Sequence, residues 1–127
     1  MSAATSPLGQ ISWSDLTVDD AQGVRDFYQQ VAGWTNSPVD MGGYEDFCMN
    51  AANGETVAGI CHAKGENADL PPVWLVYINV QDIEHSISKC RSLGGKLLSG
   101  PRDVGAGVSA VIQDPAGAIV ALYQSAT

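Results

Sequence analysis

Two ionisable side chains and one indole stand where chemistry would be possible. Asp15 lies inside "WSDLTV", His62 ends "TVAGICH", and Trp13 opens the first of these stretches. A carboxylate in the middle of a strand is costly if buried alone, so Asp15 must be solvated, paired or functional. It suits two tasks: orienting a ligand through a charge-assisted hydrogen bond, or exchanging a proton. His62 suits a general base or a single metal ligand, although it adjoins a polar stretch and a plain surface histidine is the competing reading. His85 falls on the outer side of a predicted helix. No Ser–His–Asp or Cys–His spacing supports nucleophilic catalysis. "GPRDVGAG" (100–107) is glycine-rich but follows no strand-to-helix junction, which excludes a phosphate cradle of the P-loop kind.

The elements that must position these residues recur. Trp13–Val18 alternates like a half-buried strand, and Asp19–Asp20 supplies N-cap chemistry. A helix near 20–32 follows, with Ala21, Val24, Tyr28 and Val31 as its buried stripe, Phe27 widening it and Gly33 ending it. The second copy has a strand at Trp74–Val80, a cap at Asp82 and a helix near 82–93 buried through Ile83, Ile87 and Cys90. Short strands are expected around Tyr44–Met49 and Thr56–Cys61 in the first half. In the second they are expected around Lys96–Leu98, Val108–Gln113 and Ile119–Tyr123. A βαβββ unit cannot cover both faces of its own sheet. Two copies predict an α+β fold: a curved eight-stranded mixed sheet around a cup, helices outside. We expect one domain over 1–127, with module 1 at 9–62, a linker at 63–71 and module 2 at 72–124.

Composition narrows the function. The chain has 127 residues, 45% of them hydrophobic, which is globular and not disordered. Its net charge of −8, with no cluster of Lys and Arg, argues against nucleic acid and acidic membranes as partners. No apolar run is long enough for a membrane span, and "MSAATSPLGQ" lacks the features of a signal peptide. Cys48, Cys61 and Cys90 match no metal knuckle, and an odd count cannot pair fully. We expect a cytoplasmic protein with reduced thiols.

The stretches "DFYQQVAGW" (26–34), "PPVWLVYINVQDI" (71–83), "LGGKLLSGPRDV" (93–104) and "IQDPAGAIVALYQ" (112–124) resemble the vicinal oxygen chelate superfamily of glyoxalase I, bleomycin-resistance proteins and extradiol dioxygenases. The resemblance implies the two-module fold, a homodimer and, in the enzymes, a divalent metal held by His and Glu or Gln at the base of the cup. The first ligand position, seven residues before the helix cap Asp20, is Trp13; its second-half equivalent before Asp82 is Leu75. The last-strand ligand, seven residues after Asp114 of "DPAG", falls on Ala121, and its first-half counterpart falls near Ala58. None of these side chains coordinates a metal. We therefore expect no metal and no cofactor. "GPRDVGAG" resembles the family's mobile loop over the cup mouth, where Arg102 would attract an anionic ligand.

Strand alternation then predicts the lining of the cup. Trp13, Asp15 and Thr17 share one face, as do Leu75, Tyr77 and Asn79, and Ala121 and Tyr123. The phase of Ala58 would bring Ile60 and His62 inward as well. The favoured function is a metal-independent protein binding a small organic ligand in that cup, with Trp13 as a stacking platform. The alternatives are a glyoxalase- or dioxygenase-type enzyme with a displaced metal site or metal-free acid–base chemistry, and an interaction module whose sheet serves to dimerise or regulate.

Overall fold

The computed structural model describes residues 7–126. Its element order repeats: β1 (Ile11–Val18), α1 (Ala21–Ala32), β2 (Thr35–Asp40), β3 (Glu45–Asn50), β4 (Thr56–His62), then β5 (Trp74–Asn79), α2 (Ile83–Ser92), β6 (Lys96–Asp103), β7 (Gly107–Gln113) and β8 (Ile119–Ser125). The eight strands form one mixed sheet in the order β2-β3-β4-β1-β5-β8-β7-β6. By contact the chain divides into two compact units, Ser14–Trp74, and Met1–Trp13 with Leu75–Thr127.

In the Ser14–Trp74 unit, β1 runs parallel to β4 with Leu16 beside Ile60 and Val18 beside His62. Strands β3 and β4 are antiparallel, with Phe47 opposite Ile60 and Cys48 opposite Gly59. The core under α1 is Ala21, Phe47, Met49, Ala58 and Ile60, with Val18, Val24, Tyr28, Trp34 and Trp74 against it. Trp74 donates through Nε1 to the Tyr28 hydroxyl at 3.1 Å and meets that ring edge-on, 5.3 Å between centroids. In the other unit, Ile83 and Ile87 of α2 pack on Ala110 and Leu122, with Ile78, Val80, Val108 and Ile112 around them.

The helix signals act as expected. The Asp20 and Asp82 side chains accept from Gly23 N–H and His85 N–H, and Gly33 ends α1 at φ 75°. Three expectations need correction. Phe27 and Val31 do not complete the stripe of α1; both are exposed, because Ala21, Val24 and Tyr28 already cover the narrow strip of sheet beneath. Strand β2, which the βαβββ repeat requires, had no position assigned to it: "TNSPVD" has little apolar alternation, and it forms by pairing with β3 from Thr35↔Asn50 to Asp40↔Glu45. Strand β6 runs to Asp103, so most of the expected loop over the mouth is sheet, paired through Arg102↔Ser109 and Asp103↔Val108.

The cap of α1 generates a test. Gly23 is helical, and alanine there would normally stabilise by about 1 kcal/mol. A Cβ on Gly23, however, would stand 2.3 Å from Asp20 Oδ2, displacing a cap worth about 1 kcal/mol. Gly23→Ala should therefore leave the denaturant midpoint almost unchanged, whereas in an Asp20→Ala background the same change should stabilise by about 1 kcal/mol. Equal gains in both backgrounds would show that the carboxylate does not hold the helix.

Candidate functional site

The two faces of the β1/β4 pair are unambiguous. Leu16 is buried and Val18 packs on the α1 core, so Trp13, Asp15 and Thr17 lie on the opposite face. Ala58 and Ile60 belong to the α1 core and are fully or almost fully buried there. The expected phase of β4 is thus wrong by one residue: Val57, Gly59 and Cys61, not Ala58 and Ile60, share the face of Asp15. The physical reason is volume. An isoleucine and an alanine fill the space beneath a helix whose own contact residue, Ala21, is small.

Register assembles that face. Asp15 is beside Gly59, which is opposite Cys48; Thr17 is beside Cys61. The Asp46 side chain lies close to the Cys61 thiol and acts on it. Burial first, then the negative charges of Asp15 and Asp46 and the nearby Cys48, push the thiol far above its ordinary pKa. Two carboxylates and two thiols therefore share one half-buried patch, and all three cysteines are free.

His62 reaches the edge of this patch by another route. Its backbone N–H donates to Asp46 Oδ1 at 2.8 Å, and its Nδ1 lies 3.4 Å from the same oxygen. Nδ1 is buried and makes no aligned hydrogen bond, so the contact with Asp46 is an ion pair only when the ring is protonated. The ring meets Tyr44 edge-on at 5.5 Å and tilts toward Phe47 at 6.3 Å. His62 thus sits at a strand end against aromatic rings, in the phase of Ile60.

The other expected residues lie in the second unit. Tyr77 is beside Ala121 and Asn79 beside Tyr123. Leu75, Ala121 and Tyr123 are at most 1% exposed. Asn79 is buried with its carboxamide already engaged, accepting from Ser12 Oγ at 2.8 Å and donating toward Pro7 O at 3.4 Å. A carboxamide held in this way orients the N-terminal segment.

The divalent metal of the resembling enzymes does not fit these residues. Leu75 and Ala121 are buried and have no donor atom, and Trp13 offers only an indole N–H. With β4 in its true phase the fourth position falls on Val57 or Gly59, again without a donor. Among the described residues no three His, Cys, Asp or Glu side chains come together in a geometry that would hold a metal. Strand alternation put Asp15 and Thr17 on this face but could not place Asp46, Cys48 and Cys61 there, because "TVAGICH" is apolar on both faces and its phase is set by what packs against it.

Comparison with known proteins agrees with this architecture. Residues 9–122 match the profile of the Glyoxalase/Bleomycin resistance protein/Dioxygenase superfamily. "Putative glyoxylase CFP32" of Mycobacterium tuberculosis is 36% identical over 121 residues, covering 92% of this chain and 46% of that protein. "Anthracycline biosynthesis protein DnrV" of Streptomyces peucetius is 30% identical over 129 residues, covering 91% of this chain and 47% of that protein. The chain spans about half the length of these curated relatives. A structure of Streptomyces coelicolor methylmalonyl-CoA epimerase superposes with a TM-score of 0.56 at 16% identity, over 95% of this chain and 100% of that one, a likeness of fold alone. On profile, relatives and fold together, the chain belongs to the Glyoxalase/Bleomycin resistance protein/Dioxygenase superfamily.

Proposed function

We propose that this chain is a metal-independent small-molecule-binding member of its superfamily, with the ligand held on the sheet face of Trp13, Asp15 and Thr17. One observation carries the reading. The family's metal positions hold Trp13, Leu75 and Ala121, while Asp15 and Thr17, on the strand of Trp13, share their face with a polar cluster of Cys61, Asp46 and Cys48. Such a face orients a ligand by hydrogen bonds and stacking without inner-sphere coordination. The 3.4 Å approach of Asp46 to His62 favours a second reading, metal-free acid–base catalysis with His62 as base. The free cysteines support a cytoplasmic setting. We further propose a homodimer; light scattering tests its mass.

Cys61 is held here as a neutral thiol and does not act as a nucleophile, because the thiolate is the reactive form. With its pKa raised, Cys61 should be alkylated by iodoacetamide at pH 8 at least about a hundredfold more slowly than a free thiol. Asp46→Asn should accelerate it, since removing a negative charge near the thiol favours the thiolate. The linkage has a definite sign. The unfolded thiol ionises above its ordinary value near 8.5 while the folded one stays protonated, so stability is full below that pH and falls as pH rises above it. The slope is about 1.4 kcal/mol per pH unit, and Cys61→Ser should remove it. Fast alkylation of native Cys61, or an alkaline stability profile unchanged by Cys61→Ser, would refute the arrangement.

For the binding reading, a ligand found by thermal stabilisation should be titrated calorimetrically into wild type, Trp13→Ala and Asp15→Asn. Loss of stacking should weaken binding by about 0.5–1.5 kcal/mol, and loss of the charged acceptor by about 1.5–3 kcal/mol, tenfold or more in Kd. Equal affinity for all three proteins would place the ligand elsewhere. Turnover of the ligand by metal-free protein, abolished in His62→Gln, would establish the second reading instead.

A further inference from the structure

Outside that face the Ser14–Trp74 unit holds a cleft of about 180 Å³ lined by Thr17, Val18, Asp19, Ala63, Ala68, Leu70 and Pro72. It opens where the parallel pair ends, beyond the Val18↔His62 register, with Ala63 N–H donating to Val18 O at 2.9 Å as the last link. Its roof is a closed loop. Ala68 N–H donates to Gly65 O and Leu70 N–H to Asn67 O, each at 3.2 Å, and two prolines follow. Such a roof does not have to be ordered by the ligand, which lowers the cost of binding.

The chemistry of the lining is one-sided. Ala63, Ala68, Leu70 and Pro72 present apolar surface, Thr17 offers a hydroxyl, and Asp19 is the only charged group among them. Asp19 is exposed, and further carboxylates follow at Asp20 in the helix cap and Asp69 in the roof. The nearest lysine in sequence, Lys64, does not line the cleft; its Nζ lies over the Tyr44 ring, 5.1 Å from the centroid. An anion entering here would meet like charge and no cationic partner. At about 30 Å³ per water, the space equals roughly six waters, the size of a five- or six-carbon molecule.

We propose that this cleft binds a small organic ammonium ion, its apolar body against Leu70, Ala68 and Pro72 and its charged head at Asp19. The site shares only Thr17 with the ligand face proposed above, so its failure and the failure of that reading are distinguishable.

The experiment is a ¹H–¹⁵N NMR titration of the intact chain with three probes of one shape: cyclopentylammonium, cyclopentanol and cyclopentanecarboxylate. The ammonium ion should give saturable shifts confined to the amides of Thr17–Asp19 and 63–70. The alcohol should bind about fivefold more weakly, the Coulomb contribution of one solvated carboxylate at contact distance, and the carboxylate should not saturate. Asp19→Asn should bring ammonium and alcohol to equal affinity, and Ala63→Leu, which fills the cleft, should abolish both. Shifts scattered over the surface, a carboxylate binding as well as the ammonium, or an ammonium preference surviving in Asp19→Asn would overturn the proposal. Spectra of both variants without probe, compared with wild type, establish that the fold is intact.

Discussion

The packing of Ala58 and Ile60 beneath α1 is the constraint on which the rest of the site depends. A strand has two faces, and burying one set of side chains sends every alternate residue to the other. Once Ile60 and Phe47 meet under the helix, Cys61, Gly59 and Cys48 have no choice of side. The parallel register of β1 then sets Asp15 beside Gly59 and Thr17 beside Cys61. A shift of one residue would bury a carboxylate under α1 and expose the core, which is why the register is strongly specified.

The patch that results works against stability. A half-buried thiol near two carboxylates ionises less readily than a free one. The second unit differs on that face: Leu75, Ala121 and Tyr123 are buried there together with the uncharged polar residues Asn79 and Ser109. The helix-facing layers of the two repeats are alike, Ala21 over Ile60 and Phe47 in one, Ile83 and Ile87 over Ala110 and Leu122 in the other. The difference lies in the layer away from the helices. Alike helix-facing layers with different opposite faces are what the proposed binding reading requires.

The exposed sheet edges are managed in a related way. Strand β2 carries Pro38, and β6 carries Pro101 with two irregularities in its pairing to β7. Proline removes a donor and irregular pairing bends a strand, so both edges are poor templates for adding another chain. Association with a second copy would have to use side-chain surfaces instead of continuing the sheet.

The amino-acid sequence by itself determined the repeat, because caps, stops and stripes are local. Asp20 and Asp82 cap helices through their own neighbours, Gly33 ends one by its own backbone angle, and both copies carry the same signals. Given the positions the family resemblance implies, it also showed that they lack donors: Trp13 and Leu75 are read by counting back from those caps and Ala121 by counting on from Asp114. Only the tertiary structure decided which side of β4 faces α1, and with it that Cys61 and Asp46 join Asp15 while Ala58 and Ile60 do not. "TVAGICH" is apolar on both faces, so alternation within the strand contains no information about its phase. Strand β2 was decided in the same way: "TNSPVD" has no strand pattern of its own and becomes one by pairing with the edge of β3. Local signals identify elements; the face an element presents is settled by what packs against it.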